Sequence, residues 1–193
     1  IHEPNLRVLV LCHEYPPIGG GAAAVCAALA RQYVLAGTSV SVLTMGYGDL
    51  PPYECVEGVE LHRVACRRRR KEMASPWEGL VWANRCMPLV RTLHAQRPFD
   101  VVHAHFIMPA GIVASRIQRA EGVPVVITPH GSDVPGYNRE RLKLAHVLVK
   151  PWWRQICRRA DLIACPSASL LGLIQQGVQD FRWQVIPNGF EPR

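Results

Sequence analysis

The sequence predicts a doubly wound α/β domain, a mostly parallel sheet with helices on both faces. Three observations carry this expectation. Short β-branched runs alternate with longer helical patterns almost from end to end. Several of those runs are apolar at consecutive positions, as parallel strands covered above and below require. The 193 residues suit one well-packed domain and are few for two.

Taken in order, the chain enters a strand at 7–12 (RVLVLC), crosses a Pro/Gly loop, and starts a helical pattern over 22–36. A second strand at 39–44 (SVSVLT) follows Gly37, which is placed as a left-handed helix cap. The stretch 45–58, rich in proline, glycine and acids, reads as a loop into a strand at 59–64 (VELHRV). A helix over 77–96 carries Pro88, which predicts a kink or a division there. A strand at 100–106 (DVVHAHF) leads to a helix at 110–121 capped by Gly122. A strand at 123–130 (VPVVITPH) precedes a helix at 139–159 that Pro151 should break, with Trp152 and Trp153 as core residues near a helix start. A strand at 160–166 (ADLIACP), a helix at 168–176 capped by Ser167 and followed by Gly177, and a strand at 182–188 (RWQVIPN) complete the alternation.

Composition narrows the class. With 49% apolar and 19% charged residues, this is an ordinary globular chain rather than a disordered or fibrous one. A net charge of +7 points to anionic partners: phosphate groups, nucleic acid or an acidic membrane surface. The seven cysteines are odd in number, scattered and free of any C-x-x-C pair, so they read as reduced core residues of a cytoplasmic protein. The apolar run 19–30 is too short and too alanine-rich to span a bilayer, and no leader pattern is visible.

The first candidate site is HEYPPIGGGAAAV, 13–25. A dinucleotide-binding turn is excluded, because Gly19 comes seven residues after Cys12 and the second strand ends without a carboxylate. A P-loop is excluded because alanines follow Gly21 where Lys-Ser/Thr is needed. What remains is three glycines, Gly19, Gly20 and Gly21, whose uncovered N–H groups open a helix and favour an anion. The competing reading is a turn that only lets helix and sheet pack.

The second is TPHGSDV, 128–134, where a strand ends and open α/β sheets bind ligands. His130 offers a hydrogen-bonding imidazole, Gly131 permits a sharp turn, and Asp133 is placed to orient that imidazole or a sugar hydroxyl. The third is HAHF, 103–106, where alternation puts His103 and His105 on one face. No carboxylate or cysteine completes a ligand spacing, so no metal site is assigned. Glu14 and Asp133 have no spacing that marks a catalytic pair. The run RRRRKEMASPWEGLVW, 67–82, reads either as a solvated loop before a core helix or as a peripheral contact with an anionic membrane through Arg67–Lys71 and Trp77–Trp82. Nucleic acid is set aside, since no recognised binding motif accompanies the charge.

YPPIGGG, DVVHAHF, TPHGSDV, ADLIACPSAS and VIPNGFEP occur in the order seen in the N-terminal domain of family 4 (group 1) glycosyltransferases. The chain resembles that domain from Arg7 to Glu191, which implies a Rossmann-like half of a GT-B fold. The resemblance implies an acceptor-side domain over 1–187, with 188–193 opening a hinge to a second, nucleotide-sugar-binding domain. It further implies a retaining transfer of sugar from a nucleotide diphosphate sugar to a glycan, glycolipid or small-molecule acceptor, without a cofactor or metal. On that pattern His130 is the catalytic residue, and Gly19, Gly20, Gly21, Gly131, Asp133 and His105 serve the donor diphosphate or the acceptor. This part of the chain alone is expected to be inactive. "NGF-EP" lacks the aspartate usual after N-G-V in the family. Two alternatives stand beside this: a GT-B sugar-nucleotide epimerase or phosphorylase, and a non-catalytic glycan- or lipid-binding module. The location expected is cytoplasmic, or peripheral at the inner membrane face.

Overall fold

A computed structural model describes residues 6–137 and 143–189. Eight strands form one sheet in the order β3-β4-β2-β1-β5-β6-β7-β8. They are β1 (Arg7–Leu11), β2 (Ser39–Met45), β3 (Tyr53–Val56), β4 (Val59–Val64), β5 (Val101–His105), β6 (Val125–Thr128), β7 (Leu162–Cys165) and β8 (Trp183–Val185). Helices α1 (Gly21–Leu35), α2 (Pro76–Gln96), α3 (Ala110–Glu121), α4 (Lys143–Arg159) and α5 (Ala168–Gly177) alternate with them. Every pairing is parallel except β3 with β4. The sheet is the doubly wound, Rossmann-like one the alternation predicts.

Central β1 shows why. Leu9 and Leu11 join one buried cluster, with Trp82 and Cys86 of α2 and Val113 of α3. Val8 and Val10 join a second, with Cys26 and Ala30 of α1. Both faces of the strand are therefore buried, and its apolar run needs no alternation. Parallel register places His103 beside Val10 and His105 beside Thr128, at the carboxyl end of the sheet.

Several local expectations are corrected. The stretch 45–58 is not all loop, for it contains β3, which makes an antiparallel hairpin with β4. The turn residues Glu57 and Gly58 have φ of 51° and 82°, the left-handed pair that suits a two-residue hairpin. An edge strand that is largely exposed lacks the apolar signal that marked the others. Pro88 does not divide α2, nor Pro151 α4. Pro88 and Asn84, whose carbonyl lacks its usual partner there, both face solvent. Gly177 is no left-handed cap. It is the last residue of α5, and a Cβ on it would lie 2.9 Å from the Trp153 ring. Trp152 and Trp153 sit inside α4, with Trp153 buried and Trp152 62% exposed, so only one is a core residue. Gly122 does cap α3 with φ 71°, and the Ser167 hydroxyl accepts from Leu170 N at 3.2 Å. All seven cysteines are free, and Cys55 on β3 is exposed rather than in the core. The expected helix start at 139 and the hinge positions 190–193 lie outside the described residues.

Candidate active site

A cleft of about 620 Å³ opens at the carboxyl ends of β1, β5 and β6. His13 and Glu14 follow β1, Phe106 follows β5, and His130 and Asp133 follow β6. The starts of three helices reach it, through Gly21 and Ala22 of α1, Pro76 of α2 and Pro109 just before α3. α2 is closed by a capping box in which the Ser75 side chain accepts from Glu78 N and Glu78 reaches back to Ser75 N. α3 has no side-chain cap, but Gly111 N donates to Phe106 O and Ile112 N to Pro109 O. α1 has no side-chain cap either, and its first amides keep the partial positive charge of a free helix start.

Of the residues singled out from the sequence, the cleft collects Gly20, Gly21, His130 and Asp133. Gly20 and Gly21 are exposed, and a Cβ on either would meet nothing within 4 Å. Gly19 differs from the expectation that all three amides are free. Its N–H donates to Lys71 O at 2.8 Å, its φ is +90°, and a Cβ would lie 2.6 Å from that of Glu14. Gly19 is a structural turn pressed on Glu14. Gly131, with φ +90°, is buried behind the Tyr137 ring and shapes the turn rather than the cleft wall. His105 is fully buried and lies behind His130, its Nδ1 2.9 Å from Nε2 of His130.

Asp133 does not orient the His130 imidazole. Its Oδ1 accepts from the backbone N of His130 at 2.9 Å and its Oδ2 from Ile107 N at 2.5 Å. The carboxylate thus ties the loop after β6 to the loop after β5. Burial pushes its pKa up to about 6 against those amide bonds. Burial also pulls the His130 imidazole down to about 4, and His103 likewise to about 4. His13 is pulled down to about 3, by burial first and then by Arg68 and His130. The cleft therefore presents neutral imidazoles near pH 7, and His13 forms no ion pair with Glu14 despite lying 4.0 Å away. Phe106 holds a φ of 80°, uncommon for a bulky residue, and packs its ring 4.6 Å from His13 and 4.8 Å from His130.

The basic run is built into this site in a way its composition did not suggest. Arg68 has a completely buried side chain that donates to Glu14 Oε1 at 3.2 Å, Lys71 O at 3.0 Å, Arg70 O at 2.8 Å and His13 O at 3.3 Å. Glu78 accepts from Arg69 N as well as Ser75 N, so the segment 69–75 is clamped at both ends and forms one wall. The expected membrane face shrinks accordingly. Arg68 and Trp82 are buried, whereas Arg67, Arg69, Arg70 and Lys71 remain exposed beside Trp77 at 73% and Leu80 at 37% exposure. The Ser75-x-x-Glu78 box was legible as a motif, but nothing in the sequence pairs Arg68 with a carboxylate 54 positions away. Among the described residues no group of three His, Cys, Asp or Glu side chains is placed to hold a metal ion, and no helix is long and apolar enough to cross a membrane.

The pattern described as Glycosyltransferase Family 4 matches residues 19–193. This chain belongs to glycosyltransferase family 4. An uncharacterized glycosyltransferase of Methanocaldococcus jannaschii is 30% identical over 136 residues, which cover 67% of this chain and 32% of that protein. A glycosyltransferase assigned to teichuronic acid biosynthesis in Bacillus subtilis is 35% identical over 101 residues, covering 48% of this chain and 24% of that one. Sucrose-phosphate synthase of Thermosynechococcus elongatus shares the fold with a TM-score of 0.76 at 15% identity, over 94% of this chain and 48% of its own. The matched part of this family 4 chain thus spans a third or less of these two curated relatives and about half of that structure.

Proposed function

We propose that residues 1–187 form the acceptor-side lobe of a retaining glycosyltransferase, with 188–193 opening a hinge to a lobe that holds the nucleotide. The complete enzyme moves a sugar from a nucleotide diphosphate sugar to a hydroxyl of a glycan, glycolipid or small molecule. The acceptor oxygen bonds to the anomeric carbon as the bond to the diphosphate breaks, and the acceptor proton leaves with the departing diphosphate. One observation carries the reading: the His130 imidazole and the uncapped amides of Gly20 and Gly21 line the same cleft.

Chemically, negative charge grows on the diphosphate in the transition state, and prearranged amide dipoles stabilise such charge without reorganising. The small residues Ala22, Ala23 and Ala24 keep the first turn of α1 slim beside them. His130, neutral and held from behind by His105, supplies a hydrogen-bonding edge next to the reacting sugar. No step in this scheme calls on a cofactor. An anionic membrane surface is proposed as a second partner, met by Arg67, Arg69, Arg70 and Lys71 with Trp77 as the interfacial aromatic.

The test is His130→Ala in the full-length protein. Loss of a donor fixed at the reaction centre lowers kcat by about 100-fold or more. An unchanged kcat for sugar transfer overturns the assignment of His130 and, with it, the placement of the reaction in this cleft.

A further inference from the structure

Three imidazoles run inward from the cleft wall, His130 on the cleft and His105 and His103 behind it. The His103 ring lies 4.6 Å from that of His105, and the His105 and His130 rings meet edge to edge, with centroids 5.2 Å apart and planes inclined by 16°. His103 engages both ring nitrogens, Nδ1 with the Tyr33 hydroxyl at 2.9 Å and Nε2 with Thr128 Oγ1 at 2.8 Å. His105 engages one. Its Nδ1 meets Nε2 of His130 at 2.9 Å, while its own Nε2 is buried with no hydrogen-bond partner.

A neutral imidazole carries a single N–H, so one nitrogen of His105 is bare. A proton on Nε2 would bury an N–H with nothing to accept it, and orphaned buried N–H groups are rare because they keep the full cost of lost hydration. A proton on Nδ1 instead finds the lone pair of His130. We infer that His105 is a positioning residue whose Nδ1–H donates to Nε2 of His130, fixing His130 as the neutral imidazole protonated at Nδ1.

This reverses the preference of an unconstrained histidine in water, which carries its proton on Nε2. With Nε2 engaged as an acceptor, His130 cannot take a proton from substrate there, and it meets the sugar as a hydrogen-bond donor through Nδ1. Burial keeps both rings uncharged, since it holds His105 far below the usual histidine range. His105 touches no ligand, being fully buried. Its effect is exerted through His130 alone, and the inference rests on the proposed role of that residue.

The experiment is nitrogen-15 NMR of histidine-labelled full-length protein, alongside steady-state kinetics, for wild type, His105→Phe and His105→Asn. In the wild type, Nε2 of His130 resonates as a bare nitrogen and Nδ1 as an N–H. Phenylalanine removes the donor, the His130 proton redistributes toward Nε2, and kcat falls about tenfold or more while KM for the donor sugar moves less. Asparagine places an amide N–H where Nδ1 stood, so it restores the wild-type tautomer and kcat to within about threefold, which a purely structural role would not do. A wild-type His130 protonated at Nε2 overturns the inference. So does a His105→Phe protein with the original tautomer and kcat. Should the phenylalanine variant not fold, the wild-type and asparagine spectra decide the matter without it. Failure of the His130→Ala test would remove the functional reading and leave the tautomer measurement standing, so the two outcomes are separable.

Discussion

Gly19 and Gly21 are two positions apart and do opposite things. Gly21 opens α1 with open space where a Cβ would go. Alanine there favours the helix by about 1 kcal/mol over glycine, yet it places a methyl group on the cleft wall over the first amides. We expect Gly21→Ala to raise the unfolding midpoint slightly and to weaken donor use, read as a higher KM for the nucleotide sugar. Gly19→Ala forces a side chain into a left-handed backbone and against Glu14, and it costs about 2 kcal/mol or more. Thermal denaturation of the two variants checks the contrast, and equal effects on stability would refute it. From the sequence the three glycines were alike. What separates them is the tertiary neighbour of Gly19, and a neighbour is not written in the local run.

At the scale of an element, the segment joining β4 to α2 combines an anchor with an exposed face. Arg68 is the anchor, its guanidinium shared among Glu14 and three backbone carbonyls. Removing one partner from a buried, hydrogen-bonded ion pair costs about 3–5 kcal/mol, because the other charge stays buried and uncompensated. Arg68→Met should therefore lower stability by that order in chemical denaturation. The exposed cations carry no such duty. Replacing Arg67, Arg69 and Arg70 together by glutamine should change the unfolding free energy by no more than about 0.5 kcal/mol per site and abolish sedimentation with vesicles containing anionic lipid. Equal vesicle binding before and after the triple change would end the membrane proposal. Charge density announced this segment in the sequence, but it could not say which arginine points inward. Helices were more legible than this loop: the limits of α3 match the expected 110–121 at both ends, since Gly122 stops it by backbone geometry alone. Pro88 leaves α2 undivided because its cost depends on whether the freed carbonyl reaches water, which is a property of the surface and not of the residue.

For the whole molecule, apolar periodicity was enough to fix the sheet, because parallel strands buried on both faces carry their signature in consecutive residues. Among the described residues, β3, an exposed edge strand, is the strand that escaped. The site was legible as a set of strand ends and not as contacts. His105 and His130 are 25 positions apart, and the pairing of β5 with β6, with the Asp133 tie between the loops that follow, brings them together. That packing has a consequence for stability. His13, His103 and His105 are buried and His130 half-buried at the cleft wall, and all four are neutral, held below 6.5 chiefly by desolvation. Between about pH 6.5 and 4 the unfolded chain binds protons at these positions that the folded one refuses, so stability falls as pH falls through that window. One histidine lowered from 6.5 to about 4 corresponds to something on the order of 3 kcal/mol. Asp133 works in the other direction. Its pKa, raised from 3.8 to about 6, lets the folded protein take up a proton that the unfolded chain does not, offsetting part of one histidine as the pH drops from 6 to 4. Histidines outnumber that single carboxyl, so the sum stays destabilising in acid. Urea midpoints measured at pH 7.5, 5.5 and 4.5 should decrease in that order, and His103→Gln should flatten the decline by removing one of the protons taken up. A midpoint that holds constant, or rises, from pH 7.5 to 4.5 would show that the imidazoles are not desolvated as the packing requires.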